Sequence, residues 1–266
     1  MIESHLVVMN ASRWIPLRVV LSIVEFTRQA LSMVFWALRP SVFRRPAVRL
    51  VLSKQIYFTG IQAVLPIALA ALAIGLTFET QMRSVLGSGV EINVKMNKLV
   101  VLGELAPLLA GVIVLGRSGA AMATELASMK VRGEIRSLYL MGVDPGEYLI
   151  APRLLGAAIS VPALTLVFQL VAAGLSPVLA SFFTDVPLLA NYEALCKTIE
   201  LHEIILVFIK SAVFGLLISS AACASGIFVP PERTWVPQAS ELAVMRGLAG
   251  LLIADIVFAI IHAALP

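Results

Sequence analysis

The sequence has few charged residues, and it lacks the residue clusters from which metal and nucleotide sites are built. Only 14% of its 266 residues are charged, whereas 59% are apolar and the mean hydropathy is +0.95. Its two cysteines and three histidines show no metal-ligand spacing, so we expect no metal site. No glycine is followed by lysine, which excludes the Gly-x-x-x-x-Gly-Lys-Ser/Thr loop that cradles nucleotide phosphates. We therefore expect no ATP site of that type in this chain.

The apolar residues that dominate the composition are concentrated in runs of about 20 residues. A helix of that length crosses the roughly 30 Å hydrocarbon core of a bilayer, because each residue adds about 1.5 Å. We therefore predict an all-α integral membrane protein whose residues 55–266 form one domain of about five transmembrane helices. The predicted spans are residues 56–78, 99–116, 154–176, 203–222 and 241–264.

The basic residues predict the orientation of these spans. If the segment before the first span is cytoplasmic, fifteen of the twenty Lys and Arg residues lie on that side of the membrane. Basic residues are retained preferentially on the cytoplasmic side. We therefore predict a cytoplasmic N-terminus and, with five spans, a C-terminus on the exterior side. No basic segment precedes a short apolar core near Met1, so we expect no cleavable signal.

Residues 14–38 form an apolar segment that carries three charged side chains. Arg18, Glu25 and Arg28 fall on one side of a helix, and charged groups near the middle of a span are costly to insert. An interfacial amphipathic helix on the cytoplasmic face fits this pattern better than a sixth span does. We therefore assign residues 1–54 to a cytoplasmic N-terminal region that contains this helix.

Residues 116–153 lie between the second and third predicted spans and mix small, apolar and charged side chains. Apolar and charged residues alternate there at roughly helical spacing, which predicts one amphipathic cytoplasmic helix at about residues 117–142. Such a helix either rests on the membrane as a solvated element or docks a cytoplasmic partner. The candidate docking residues are Arg117, Glu125, Met129, Lys130, Arg132, Glu134 and Asp144.

Three ionisable residues lie inside predicted spans at a similar depth. The helical rise places Glu104 and Lys210 about 9–10 Å from the exterior ends of their helices, and Asp255 also falls in the exterior half. An unpaired charge at that depth is expensive, so we expect these groups to face one another or a wet cavity. They form either a buried ion pair that fixes helix packing or the lining of a cavity that meets a lipid headgroup.

Several short motifs occur in a fixed order between residues 50 and 262. They are Gly103-Glu104-Leu105-Ala106-Pro107; Gly116-Arg117 with Gly119, Ala121, Glu125, Leu126 and Met129; Glu134-Ile135; Met141 with Val143-Asp144-Pro145; Pro152-Arg153; Ile209-Lys210-Ser211 with Phe214; and Asp255. In this order they resemble the signature of the MlaE family of ABC-transporter permeases, also called YrbE. The chain departs from the family pattern at Gly133, where an acidic residue is usual, and at residues 230–242, which replace a Gly-rich stretch.

The resemblance implies a homodimeric permease subunit, without catalytic residues, that moves phospholipid or another hydrophobic molecule between membranes. It also implies a separate pair of ATPase subunits that bind ATP and Mg²⁺, so this chain would hold no cofactor itself. Relatives also work with an MCE-domain protein on the exterior side and often with a small STAS-domain protein in the cytoplasm. The implied location is the bacterial inner membrane, with a periplasmic C-terminus, and we expect no nucleic-acid partner.

Two alternatives from other functional classes stay open at this point. An ion-coupled secondary carrier would use Glu104, Lys210 and Asp255 as its relay and would need no ATPase. A membrane scaffold without transport activity would leave these intramembrane charges without an evident purpose. The proteins that copurify with the chain distinguish the first alternative from an ATP-driven permease.

Overall fold

The computed structural model describes Met33 and residues 46–86, 90–181, 188–198 and 200–264. Within these residues the chain is helix, turn or loop and contains no strand, which confirms the predicted all-α fold. The predicted interfacial helix at residues 14–38 lies outside the described residues, apart from Met33, which is helical and buried.

The described part of the chain forms a series of α-helices that we number in chain order. They are α1 (Pro46–Thr59), α2 (Val64–Leu86), α3 (Val90–Met96), α4 (Ala106–Val114), α5 (Ala120–Val131), α6 (Glu134–Leu140), α7 (Ala151–Leu170), α8 (Ser176–Ser181), α9 (Leu188–Thr198), α10 (Leu201–Ile227) and α11 (Trp235–Ala264). Wider π-helical turns occupy Asn97–Leu105, Leu115–Gly119, Gly146–Ile150 and Val171–Leu175, and a 3-10 turn occupies Ile61–Ala63. Because these turns continue the helices on either side, several numbered helices belong to one long span.

Five helical stretches in the described residues are long and apolar enough to cross a membrane, which confirms the predicted number of spans. They are Val48–Met82, Ile92–Val131, Gly146–Leu179, Leu201–Ile227 and Trp235–His262. Successive spans run in opposite directions, so α6 and the loop at residues 228–234 lie at one end of the bundle. We call this the α6 end, and we call the opposite end, where α9 lies, the α9 end.

The charged segment after Arg117 forms two helices instead of the single helix predicted at about residues 117–142. The first, α5, continues the second span as far as Val131, and its residues Met122 and Leu126 are buried. Gly133 then has a φ of 76°, a left-handed conformation that glycine adopts without steric cost, and this separates α5 from α6. Sequence periodicity continues across Gly133, which is why the break was not predicted.

The helix α10 lies at the centre of the bundle and packs against α5, α7 and α11. Gly215 approaches the backbone of α7 so closely that a Cβ atom there would overlap the carbonyl oxygen of Ala157. Its neighbours Phe214 and Ile218 are fully buried. Close approach of this kind stabilises helix pairs in lipid, where van der Waals packing replaces the hydrophobic effect as the driving force. The position of α10 therefore depends on the absence of a side chain at residue 215.

Replacing Gly215 by Ala should destabilise the bundle by about 1–3 kcal/mol, because the backbone of α7 cannot move aside as a flexible side chain can. The thermal unfolding midpoint in detergent would report the loss. Gly116→Ala is the matched control, since a Cβ there meets nothing within 4 Å. If Gly215→Ala has the same midpoint as the control, α7 and α10 are not in this close contact.

Candidate functional site

A cavity of about 390 Å³ lies toward the α9 end, between the last four spans and α9. Cavities of this size hold small organic ligands or part of a larger one. Its walls are mostly apolar and include Leu102, Leu166, Leu170, Leu206, Val207 and Phe258. Its charged and amide side chains are Lys98, Glu104, Gln169, Glu203 and Lys210. The cavity therefore offers a long apolar surface with a few polar groups, the composition that an amphipathic ligand requires.

The structure brings together the three ionisable residues that the sequence analysis placed at one depth. Lys210, on α10, is 1% exposed, and its ammonium group donates a hydrogen bond to the carboxylate of Glu104. Its Nζ atom also lies 2.8 Å from Oδ1 of Asp255 on α11, an ion pair without hydrogen-bond alignment. Two carboxylates from two other spans thus surround one buried ammonium group, and Lys210 and Glu104 also line the cavity.

A π-helical segment, Asn97–Leu105, carries Glu104 on the cavity wall. In this wider turn the N–H of Ala106 bonds to the carbonyl of Val101, five residues earlier. The next carbonyl, that of Leu102, would then face the nitrogen of Pro107, which has no hydrogen to donate. Gln169 of α7 supplies the missing donor, with its Nε2 atom 2.9 Å from the Leu102 oxygen.

Gln169 was missed by the sequence analysis, and its role depends on a contact between distant residues. The signal in the sequence was Pro107, because a proline inside a span leaves a carbonyl that some other group must satisfy. Nothing in the pattern of residues indicates that the donor comes from the third span. Gln169 therefore holds the turn that carries Glu104, and it does so from within the cavity lining.

A second ion pair lines the cavity nearer to the α9 end. The Nζ atom of Lys98 lies 2.6 Å from the Glu203 carboxylate and 2.6 Å from the backbone oxygen of Thr198, the last residue of α9. Lys98 and Glu203 precede Glu104 and Lys210 by six and seven residues, so the two pairs are about 10 Å apart along the helices. Neither Lys98 nor Glu203 was among the predicted site residues, and this pair was not predicted.

Arg117, a candidate docking residue, contacts the first span. Its guanidinium donates to the Phe58 carbonyl at 2.9 Å and to the Gln62 side chain at 2.6 Å, and it lies 5.2 Å from the centre of the Phe58 ring. These partners flank Gly60, where the helix α1 ends and the 3-10 turn begins. Arg117 therefore satisfies backbone and amide groups at the bend in the first span.

Two further docking candidates tie α5 to neighbouring helices at the α6 end. The exposed Glu125 accepts a hydrogen bond of 2.7 Å from Arg153 of α7, whose side chain is 5% exposed. Lys130 donates to the backbone oxygens of Ile227 and Val229, at 2.6 and 2.7 Å, where α10 ends. The ammonium group of Lys130 complements the negative end of the α10 helix dipole, and the guanidinium of Arg153 complements the Glu125 carboxylate. The helix α5 is thus fixed to both α7 and α10.

The last four candidates lie on or beside α6. Met129 packs against the buried cluster around Leu126, and Asp144 accepts a hydrogen bond of 2.8 Å from the Gly146 N–H. Arg132 and Glu134 pair with each other at 2.6 Å, and both side chains are largely exposed. Within the predicted docking set, this pair and Glu125 have exposed side chains.

The helix α6 also presents an apolar surface that the sequence analysis did not single out. Tyr139, Leu140 and Met141 are 65%, 80% and 67% exposed. Ile135 and Leu138, on the other face, pack against the cluster around Leu126 and Leu149. The described structure thus shows α6 anchored on one side and uncovered on the other, as an element that contacts a partner would be.

Known permeases are similar to this chain along most of its length. The Permease MlaE family matches residues 52–261, which is more than half of the chain. The chain is 32% identical over 154 residues to Protein TRIGALACTOSYLDIACYLGLYCEROL 1, chloroplastic, of Arabidopsis thaliana, covering 58% of this chain and 44% of the relative. It is 33% identical over 152 residues to a probable ABC transporter permease protein of Rickettsia typhi, covering 57% and 59%.

A third relative matches over a longer stretch at lower identity. The chain is 26% identical over 232 residues to the intermembrane phospholipid transport system permease protein MlaE of Haemophilus influenzae, covering 85% of this chain and 88% of the relative. The chain spans about half the length of the first two relatives, however. The motifs, the five spans and the family match agree, and they confirm the resemblance found in the sequence. The chain is a multi-pass inner-membrane protein that belongs to the MlaE permease family.

Proposed function

We propose that this chain is the membrane subunit of an ATP-driven transporter that moves phospholipid, or a similar hydrophobic molecule, between membranes. The observation that carries the proposal is the cavity of about 390 Å³, with apolar walls and paired charges, in a chain of the MlaE permease family. The names of its relatives, which include a phospholipid transport permease and probable ABC permeases, support the same function. A separate ATPase subunit, holding ATP and Mg²⁺, would supply the energy.

In this proposal the two parts of a lipid occupy different parts of the cavity. The apolar walls contact the parts of the acyl chains nearest the headgroup, because contact with Leu166, Leu170 and Val207 removes hydrocarbon from water. The two ion pairs on the cavity wall, Glu104–Lys210 and Lys98–Glu203, offer polar partners to the headgroup. A polar headgroup in the interior of a bundle needs such partners, since an unsatisfied polar group there costs free energy.

The helix α6 would pass the motion of the ATPase to this cavity. Its exposed Tyr139, Leu140 and Met141 provide the apolar contact, and the exposed Arg132–Glu134 pair lies beside them. The contacts of Glu125 and Lys130 with α7 and α10 would carry a displacement of α5 and α6 to the spans that line the cavity. Nucleotide binding would then shift the population between two arrangements of the spans.

The expected partners and orientation complete the proposal. Two copies of the chain would form a homodimer through exposed apolar residues of the spans, such as Leu65 and Leu69 of α2 or Ile256 and Ile260 of α11. The N-terminus and α6 would be cytoplasmic, where a STAS-domain protein also binds, and the α9 end would face an MCE-domain protein in the periplasm. The excess of basic residues at the α6 end supports this orientation.

The ion-coupled carrier is the second candidate, because Lys210, Glu104 and Asp255 form a buried charge cluster of the kind that relays use. In an ATP-driven transporter the same cluster would fix three spans around the cavity. An ATP-driven transporter needs a nucleotide-binding partner, and a carrier does not. Copurification of the chain from native membranes with an ATPase subunit favours the first function, and purification without one favours the second.

The variant Glu104→Gln should reduce lipid transport several-fold while leaving expression and assembly intact. Glutamine keeps a hydrogen-bond acceptor for Lys210, and the ammonium group retains Asp255 as its counter-charge. Transport between donor and acceptor vesicles by the reconstituted complex is the measurement. Glu193→Gln, at an exposed position of α9, is the matched control. Loss of expression in Glu104→Gln with normal transport per molecule would indicate that the cluster serves packing alone.

The variant Leu140→Asp should prevent the ATPase subunit from copurifying, since it places a charge in the most exposed apolar position of α6. The chain itself should remain folded, because residue 140 is 80% exposed. Leu140→Met, which keeps an apolar side chain of similar volume, is the control and should retain the partner. Normal recovery of the ATPase with Leu140→Asp would contradict the assignment of α6 as its docking element.

A further inference from the structure

The charged groups of the cavity form two separate pairs with different surroundings. Lys210 is 1% exposed and has two carboxylates, Glu104 and Asp255, as partners. Lys98 and Glu203, nearer to the α9 end, are 16% and 26% exposed, and among the described residues Lys98 pairs with one carboxylate and with the Thr198 carbonyl. The Lys98–Glu203 pair is therefore the one that an entering ligand can open at lower cost.

The exchange of partners at this pair depends on the net charge of the ligand. A phosphate that binds Lys98 displaces the carboxylate of Glu203, which is then left without a cation beside an apolar wall. An uncompensated charge in such a place is unfavourable. A headgroup that carries its own ammonium group replaces the lost cation, so that both members of the pair are again satisfied. A headgroup with only a phosphate and hydroxyl groups does not.

The other charged groups of the cavity also favour a ligand without net negative charge. Together with the Lys210 cluster, the cavity region holds two ammonium groups, three carboxylates and the imidazole of His262 among the described residues. The excess of one carboxylate disfavours a second net negative charge in the cavity, because charges in a poorly hydrated region are weakly screened. It does not disfavour a ligand whose charges sum to zero.

We propose that Lys98 and Glu203 form a headgroup subsite that selects zwitterionic phospholipids, with the phosphate on Lys98 and the ammonium group on Glu203. This inference rests on the proposed lipid transport and names the class of lipid that the same cavity takes. The selection depends on the charges of the headgroup. It places no requirement on the acyl chains, which lie along the apolar walls. Phosphatidylethanolamine is bound in preference to phosphatidylglycerol.

The test compares two photoreactive lipids that differ only in the headgroup. The full-length chain is reconstituted in vesicles that contain equal amounts of phosphatidylethanolamine and phosphatidylglycerol, with trace analogues of each that carry a diazirine in the same acyl position. Labelling of the cavity-lining segment 166–174 is measured by peptide mapping and is normalised to the exposed Ile159 of α7, which lies outside the cavity. We expect phosphatidylethanolamine to label the cavity about three- to tenfold more than phosphatidylglycerol, the range for one partly exposed ion pair.

The variant Glu203→Gln should bring this ratio to about one or below, while labelling of the cavity persists. The amide needs no cation, and Lys98 becomes free for an anionic headgroup. Glu200→Gln is the matched control, since Glu200 is exposed at the same end and pairs with His202 outside the cavity. Its ratio should equal that of the unmodified chain.

Each other outcome contradicts one of the two proposals. Equal labelling by the two lipids in the unmodified chain overturns the zwitterionic subsite but leaves the lipid cavity intact. A preference that persists in Glu203→Gln also overturns the subsite, since another group then selects the headgroup. Absence of cavity labelling by either lipid overturns the proposed lipid transport itself.

Discussion

The buried ammonium group of Lys210 is the constraint on which the arrangement of the cavity depends. An ammonium that is 1% exposed in an apolar bundle is tolerated only when anions contact it directly. Glu104 and Asp255 come from two other spans, so three spans must meet at the depth of Lys210. The cavity lies beside this junction, and two of the three groups line it. One ion cluster therefore determines both the packing of the spans and the polarity of the cavity.

Glu104 lies on the cavity wall because the second span is irregular near it. A regular α-helix would satisfy its own carbonyl groups, but the π-helical turn and Pro107 leave the carbonyl of Leu102 without a donor. Gln169 satisfies it from the third span. Irregular backbone at membrane depth is stable only where protein or a cavity surrounds it. The irregular segment thus needs the cavity residue Gln169, and Gln169 brings the third span to the site.

The sequence allowed the fold to be predicted more completely than the site. The five spans could be predicted because the bilayer requires about 20 apolar residues per helix, and this length is visible locally. The depth of Glu104, Lys210 and Asp255 followed from the same spacing. The Lys98–Glu203 pair could not be predicted, because charges near span ends are common and also face water. The break at Gly133 was missed because a glycine within a periodic segment also serves close packing.

The central helix α10 connects the two ends of the molecule. It runs without a break from Leu201 to Ile227, and Lys210 is seventeen residues from its end, or about 25 Å. Its end is held by Lys130 of α5, which continues directly toward α6. An uninterrupted α-helix moves nearly as a rigid body, so a displacement at the Lys130 contact would be carried along α10 to Lys210. The buried charges cannot separate without cost, and the cluster therefore favours discrete arrangements of the spans over a continuum.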